Sequence, residues 1–230
     1  MAAVKVVDLT QRAQIILQDT TGTRWPWVEL QHWLNDAYRE ITLLRPDANT
    51  AAGTFACEEG TRQRLGNVFP NALRLIDVVR NLASSSARKA VRLIARDILD
   101  DQRRGWHAES PSVNIEHFMF DPLLPREFLV YPPASASAEL EVVYSSVPTA
   151  HVLTEAQLMD PATAETIQIV DSYANAILDY ILYRAYSKDA EYAANAQRAM
   201  SHREAMLASL AAKTQVDTAT KKAGTPLSTT

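Results

Sequence analysis

Apolar positions recur every three or four residues at both ends of the chain, and the middle reads as short runs of alternating apolar and polar residues. Near the N-terminus Leu9, Ala13, Ile16 and Leu17 share one face of a helix that Asp8 can cap. Thr20-Thr21-Gly22-Thr23 breaks it. Pro26 suits the first turn of a second helix, where its missing N–H costs nothing. Leu30, Trp33, Leu34, Ala37, Ile41 and Leu44 carry that helix to a stop at Arg45-Pro46.

From about Gly53 to Pro148 the pattern predicts strands: Thr54 to Cys57, Gln63 to Asn67, Leu73 to Asn81, Ala90 to Ile94, Val113 to Phe120, Glu127 to Tyr131 and Glu139 to Ser145. Asp97 to Arg104 reads as a short helix. Pro122, Pro125, Pro132 and Pro133 suit edges and loops. Helical spacing then returns. Ile167, Val170, Ala174, Ile177, Ile181 and Ala185 predict a helix from about Ala162 to Tyr186. Tyr192, Ala196, Ala199, Met206 and Leu210 predict another from about Asp189 to Leu210, across a join at Ser187-Lys188 that implies a tight hairpin or a kinked rod. Beyond it the composition turns to Ala, Thr, Ser, Lys and Gly, which cannot build a core alone.

These elements imply an α+β chain: an antiparallel-type helical bundle made from N-terminal helices (1–50) and C-terminal helices (151–210), a β-rich insertion (51–150) projecting from it, and an extended C-terminal arm (211–230). With nearly half its residues hydrophobic, the chain can fill a core without metals or disulfides. Cys57 is the only cysteine, which excludes an intramolecular disulfide and a Cys-based zinc site. No segment approaches a membrane span, and the N-terminus lacks the apolar stretch of a secretory signal, so a soluble protein made in a cytoplasm is expected.

No catalytic residues, metal site or cofactor are expected. Ser145-Ser146 follows a strand but lacks the glycines of a nucleophile elbow. Asp97, Asp100 and Asp101 stand among basic residues and read as surface pairs. The five histidines show no ligand spacing, and six glycines form neither a Walker loop nor a dinucleotide fingerprint.

Charge is uneven. Between Arg62 and Arg104 ten Lys and Arg face four acids, although the whole chain carries a net −4. That excess suits a solvated sheet face, a contact with an acidic partner, or DNA; alternating apolar residues favour a folded sheet over a phosphate-tracking strip. Trp25, Trp27 and Trp33 gather at the start of the second helix and read mainly as packing. Tyr173, Tyr180, Tyr183, Tyr186 and Tyr192 recur too often to face one core, which suggests helix packing between subunits.

Three segments carry a resemblance. Trp33-Leu-Asn-Asp-Ala-Tyr-Arg-Glu-Ile41, ending in Leu44-Arg45-Pro46, is similar to the N-terminal helix of tailed-phage adaptor (head-to-tail connector) proteins. Phe128-Leu-Val-Tyr-Pro-Pro133, followed by Leu140-Glu-Val-Val-Tyr-Ser-Ser-Val-Pro148, resembles their closing strands. The run Tyr183-Arg-Ala-Tyr-Ser-Lys-Asp-Ala-Glu-Tyr192, within Leu178 to Ala199, resembles their long C-terminal helix pair and is the most specific of the three. Pro26 departs from the family, which often has a capping Ser or Thr there.

The resemblance implies a structural virion subunit at the head–tail junction. It implies a ring of copies, twelvefold, that binds the portal protein, meets a tail or nozzle protein and lets DNA pass without sequence-specific binding. On this reading Tyr183, Arg184, Tyr186 and Tyr192 belong to the subunit interface, Arg88, Lys89 and Arg92 to a tail or neighbour contact, and Lys213, Val216, Lys221, Lys222 and Leu227 to a portal-binding arm. The runner-up is an oligomeric DNA-packaging protein such as a small terminase-like ring, which would need a basic helix-turn-helix face absent from the pattern.

Overall fold

The computed structural model describes the backbone of residues 3–83, 88–189, 191 and 193–222, and their side chains except at 193 and 214–222. In chain order the elements are α1 (Val6–Leu17), α2 (Trp27–Leu44), β1 (Thr50–Ala56), β2 (Gly60–Arg64), α3 (Leu65–Val68), β3 (Ala72–Asn81), β4 (Arg92–Leu93), α4 (Arg96–Gln102), β5 (His117–Phe120), β6 (Glu127–Ala134), β7 (Glu139–Ser146), α5 (Glu155–Met159), α6 (Ala174–Lys188) and α7 (Ala193–Lys222). They form two compact units, one from residues 1–48 and 148–230, the other from 49–147.

The first unit is helical. Leu30, Leu34, Ala37, Tyr38 and Ile41 line one face of α2 and share a core with Leu9 and Ala13 of α1, Ile177, Ile181 and Ala185 of α6, and Met206 and Leu210 of α7. The long helices therefore come together as the 3-4 spacing requires.

Their ends correct the sequence reading. Helix α1 starts at Val6 with Lys5 at its N-cap, so Asp8 lies inside the first turn, where a carboxylate favours the positive end of the helix. Pro26 is itself the N-cap of α2, and its carbonyl accepts from Glu29 N and Leu30 N. The helix expected from Ala162 begins only at Ala174, because the preceding stretch pairs with the N-terminus: Val6 N donates to Glu165 O and Ile167 N to Val4 O, both at 2.9 Å. Ile167 is buried there by pairing, while Val170 and Ile16, assigned to core faces, are exposed. Helix α5, capped by Thr154 and Gln157 in a reciprocal box, escaped the periodicity because it is one turn long.

The return strand of this unit is held by α2. Asn35 accepts from His151 N (2.9 Å) and donates to His151 O (3.0 Å). Gln31 accepts from Leu153 N (2.7 Å) and donates to Leu153 O (3.3 Å). Four helical residues rise about 6 Å and two extended residues about 6.6 Å, so the two amides meet alternate residues in register.

The second unit is a sandwich of two sheets, with strand orders β1-β7-β3 and β2-β6-β5-β4. Every described pairing between strands is antiparallel except β4 with β5. Phe55, Leu75, Val78, Leu140 and Val142 of one sheet pack against Phe118, Phe128 and Val130 of the other. Gly53 is required in β1 because a side chain there would run into the Phe69 ring, which stacks on Tyr144. Several strands are shorter than the alternation predicts. The run at Gln63 to Asn67 turns into α3 after Arg64. Of Val113 to Phe120 only His117–Phe120 pairs as a strand, and of Ala90 to Ile94 only Arg92–Leu93 does.

Candidate interaction surfaces

The tyrosines assigned to a subunit interface are mostly used within the chain. Tyr173, Tyr180 and Tyr186 are buried in the core of the helical unit, so they need no neighbour to cover them. Tyr186 stacks on His202 and lies under Arg198, while His202 meets Asp179 at 2.9 Å. Tyr183 and Arg184 are only partly buried. Tyr183 packs edge-on against Tyr180 with Arg203 over its ring, and Arg184 donates to the Tyr180 hydroxyl at 3.2 Å. The structure thus leaves Tyr183 and Arg184 as the surface part of the set. Tyr192 lies outside the described residues.

Arg88, Lys89 and Arg92 come together through backbone pairing. Asn81 donates to Lys89 O (2.9 Å) and Ile115 O (2.8 Å) and accepts from Ile115 N (2.8 Å). Ala90 bridges to Arg80, and Arg92 N donates to Glu116 O. Arg88 takes a left-handed backbone (φ 54°), which turns the chain. All three side chains are exposed, and among the described residues none is ion-paired.

The extended arm expected from residue 211 is corrected by α7, which continues to Lys222. Ala211, Ala212 and Ala219, with the lysines, are good helix formers, and no glycine or proline interrupts them before Gly224. Lys213 sits with its ammonium 5.5 Å from the centre of the Tyr173 ring and so belongs to the helical unit. Val216, Lys221 and Lys222 are on α7 by backbone, and Leu227 lies outside the described residues.

Arg45, missed by the sequence reading beyond its role as a stop, fastens this helix. It donates to Leu210 O at 3.1 Å and to both Asp47 carboxylate oxygens at 2.8 and 2.6 Å. The Arg45 hydrogen bonds hold the Asp47 carboxyl below its ordinary 3.8 against a smaller opposing effect of burial, and the charges of Arg45 and Lys213 add to them. The folded value lies below the unfolded one, so the stabilisation is complete above pH 3.8 and is lost as pH falls through the folded value. We expect the melting temperature to drop on acidification below that point, and to drop less in Asp47→Asn, as read by thermal melts across pH.

A second buried network joins α2 to the return segment. Gln168 N donates to the Tyr38 hydroxyl (3.0 Å), which donates to His151 Nε2 (2.8 Å), and His151 Nδ1 donates to Glu165 (2.8 Å). This tautomer satisfies every contact in the chain. Burial lifts the Tyr38 hydroxyl well above its usual range, which keeps its proton on. The imidazole is closed to solvent, so the array reads as a positioning network for residues 151–168.

A groove of about 290 Å³ opens on the β unit. Ile94, Met119, Phe120 and Leu124 supply apolar walls, and Arg62, Arg96, Asp121 and Glu127 also line it. The arginine side chains are well exposed, with Glu127 at 3.8 Å from Arg62 and Asp100 at 3.0 Å from Arg96. Cys57 is buried, and burial, with the nearby Glu139 charge, pushes its thiol up to about 12. Among the described residues no group of three or more His, Cys, Asp or Glu is placed to hold a metal ion, and no helix is long and apolar enough to cross a membrane.

The family model described as SU10 adaptor protein matches residues 4–229, which takes in both units and the whole of α7. The chain belongs to the SU10 adaptor protein family. No curated protein matches it. The resemblance to phage adaptors read from three sequence segments is therefore confirmed at the level of the family. Membership of the SU10 adaptor family implies interaction with other phage structural proteins.

Proposed function

We propose that the protein is the head-to-tail connector subunit of a tailed bacteriophage, a structural component of the virion that forms a ring, twelvefold, on the portal protein. The observation that carries this reading is the adaptor family match from residue 4 to 229. The helical unit forms an antiparallel-type bundle that packs against neighbouring copies, so that the ring closes and no interface stays open. Tyr183 and Arg184 lie at that contact. The end of α7 and the residues after it reach the portal, and the channel passes DNA without sequence-specific binding. Its work is adhesion, with no catalytic step.

The test is mass measurement of the protein alone and with its portal. A closed ring of copies on the portal is the expected result; a protein that stays monomeric with its own portal present refutes the reading. The basic surface at Arg88, Lys89 and Arg92 is assigned to an acidic tail or neighbour surface. Neutralising all three is expected to weaken tail joining without altering the fold, with the difference shrinking as salt is raised. Unchanged joining at every salt concentration refutes that assignment.

A further inference from the structure

The edges of a sheet carry unpaired backbone groups that invite another strand, and proteins blunt them with bulges, charges, short strands or a covering segment. The two sheets of the β unit end in β1, β3, β2 and β4. Along the outer side of β3, Leu75 N donates to Pro125 O, Asn81 N to Lys89 O, and Val79 O accepts from Val91 N. β2 has a register shift between Gly60 and Arg62 and carries exposed Arg62 and Arg64. β4 is only Arg92–Leu93. β1 has none of these devices. It pairs with β7 over Thr50–Ala56 with no register shift, and it contains no charged residue and no proline. Ser146 N donates to Asn49 O and Cys57 N to Ala138 O, so the odd-numbered residues between them bond β7. Thr50, Ala52, Thr54 and Ala56 therefore turn their N–H and C=O groups outward. Among the described residues no hydrogen bond reaches those groups, and all four side chains are exposed.

We infer that β1 pairs with β1 of a second copy of this chain, antiparallel about a two-fold axis at Gly53, as a reversible dimer of the free protein. The strand is complementary to itself. In that register Thr50 faces Ala56 and Ala52 faces Thr54, so every outward-turned residue of one copy meets one of the other, and each such pair exchanges two hydrogen bonds. The side chains that meet are small and uncharged, and glycine meets glycine at the axis. The Phe69 ring, which lies over Gly53, comes beside its counterpart there. No other edge of the chain can take the place of β1, since the rest are bonded, bulged or short, so pairing closes at two copies and does not grow. A contact between two strand edges is small, which makes the dimer weak and dependent on concentration. A ring relates its neighbours by rotation and has no place for a two-fold contact, so a copy must leave the dimer to join one. The dimer thus covers the open edge of copies that have not yet assembled.

The test is sedimentation of the full-length protein without portal. Its average mass should rise with concentration from one chain towards two and no further. A52K with T54K sets lysine opposite lysine across the strand pair and should weaken the dimer at least about tenfold, with circular dichroism unchanged. A52E with T54E should do the same, and an equimolar mixture of the two variants should pair again, because lysine then meets glutamate. A single-chain mass at every concentration, growth beyond two chains, a dimer indifferent to the lysines, or variants that do not recover on mixing overturn the inference. Loss of rings on portal in the A52K and T54K protein, where the parent forms them, also overturns it, because the edge would then serve the assembled state. Absence of rings with parent and variant alike refutes the ring reading alone, since the dimer is measured without portal.

Discussion

Replacing Phe55 by alanine is expected to destabilise the β unit by about 3–5 kcal/mol, the largest effect of any single truncation considered for this protein. Phe55 is completely buried. It sits between Phe69 and Phe128, with ring centres 6.3 and 5.4 Å away in tilted arrangements that suit aromatic edges and faces. It also belongs to the sheet opposite Phe128, so its loss opens a void where the two sheets meet. The neighbours have little freedom to fill it: Phe69 is already stacked on Tyr144 and pressed against Gly53. Denaturant unfolding followed by the fluorescence of Trp106, the tryptophan of this unit, reads the change. A loss under about 1 kcal/mol would mean the sheets repack, and the sandwich would be looser than its geometry implies.

Removing residues 214–230 is expected to weaken binding to isolated portal at least tenfold, on the order of 1.4 kcal/mol, while leaving the helical unit folded. The cut falls where anchorage ends. Leu210 is bonded by Arg45, and Lys213 is seated on Tyr173, so α7 is anchored to the unit up to that point. Beyond it the sequence offers few apolar groups, Val216 and Leu227 chief among them, and Lys221 and Lys222 with only Asp217 to oppose them. A stretch of this composition gains little from its own side chains and much from a partner that buries the valine and leucine and faces the lysines with carboxylates. Circular dichroism should lose only the last turns of α7. Portal affinity equal to that of the full chain would show that the helical unit makes the contact by itself.

What the sequence disclosed depended on the length over which a pattern could repeat. Helix α2 was legible because six apolar positions repeat along it, and the boundary near Asn49 was legible because the period itself changes. The start of α6 was not, because residues 162–170 carry helical spacing yet are pulled into pairing with Val4 and Val6, a choice made by tertiary contacts. The same holds for Asp8, whose capping ability was outbid by that pairing. Residues 211–222 were misread in the other direction: lack of large apolar groups was taken as lack of structure, although alanine and lysine favour a helix on backbone grounds alone.

For the interaction surfaces, Arg88, Lys89 and Arg92 stood out by local charge and are exposed as expected. The groove did not, since its lining comes from β2, residues 94–96, β5, the loop before β6 and β6 itself, which no linear pattern joins. Tyr186 was chosen by recurrence, which cannot distinguish a side chain needing a neighbour from one that His202 already covers.

His151 and Leu153, held by the amides of Asn35 and Gln31, lie four and six residues past Val147, where the chain leaves the β unit. A pull on the β unit through that segment therefore meets four hydrogen bonds to α2 before it reaches α5 and α6. Because both amides are carried by one rigid helix, load is shared among the bonds and does not pass down them one at a time. The clamp hands strain arriving along this segment to α2 and spares the residues that follow, 154–168, as a cleat takes the tension on a rope before the knot behind it.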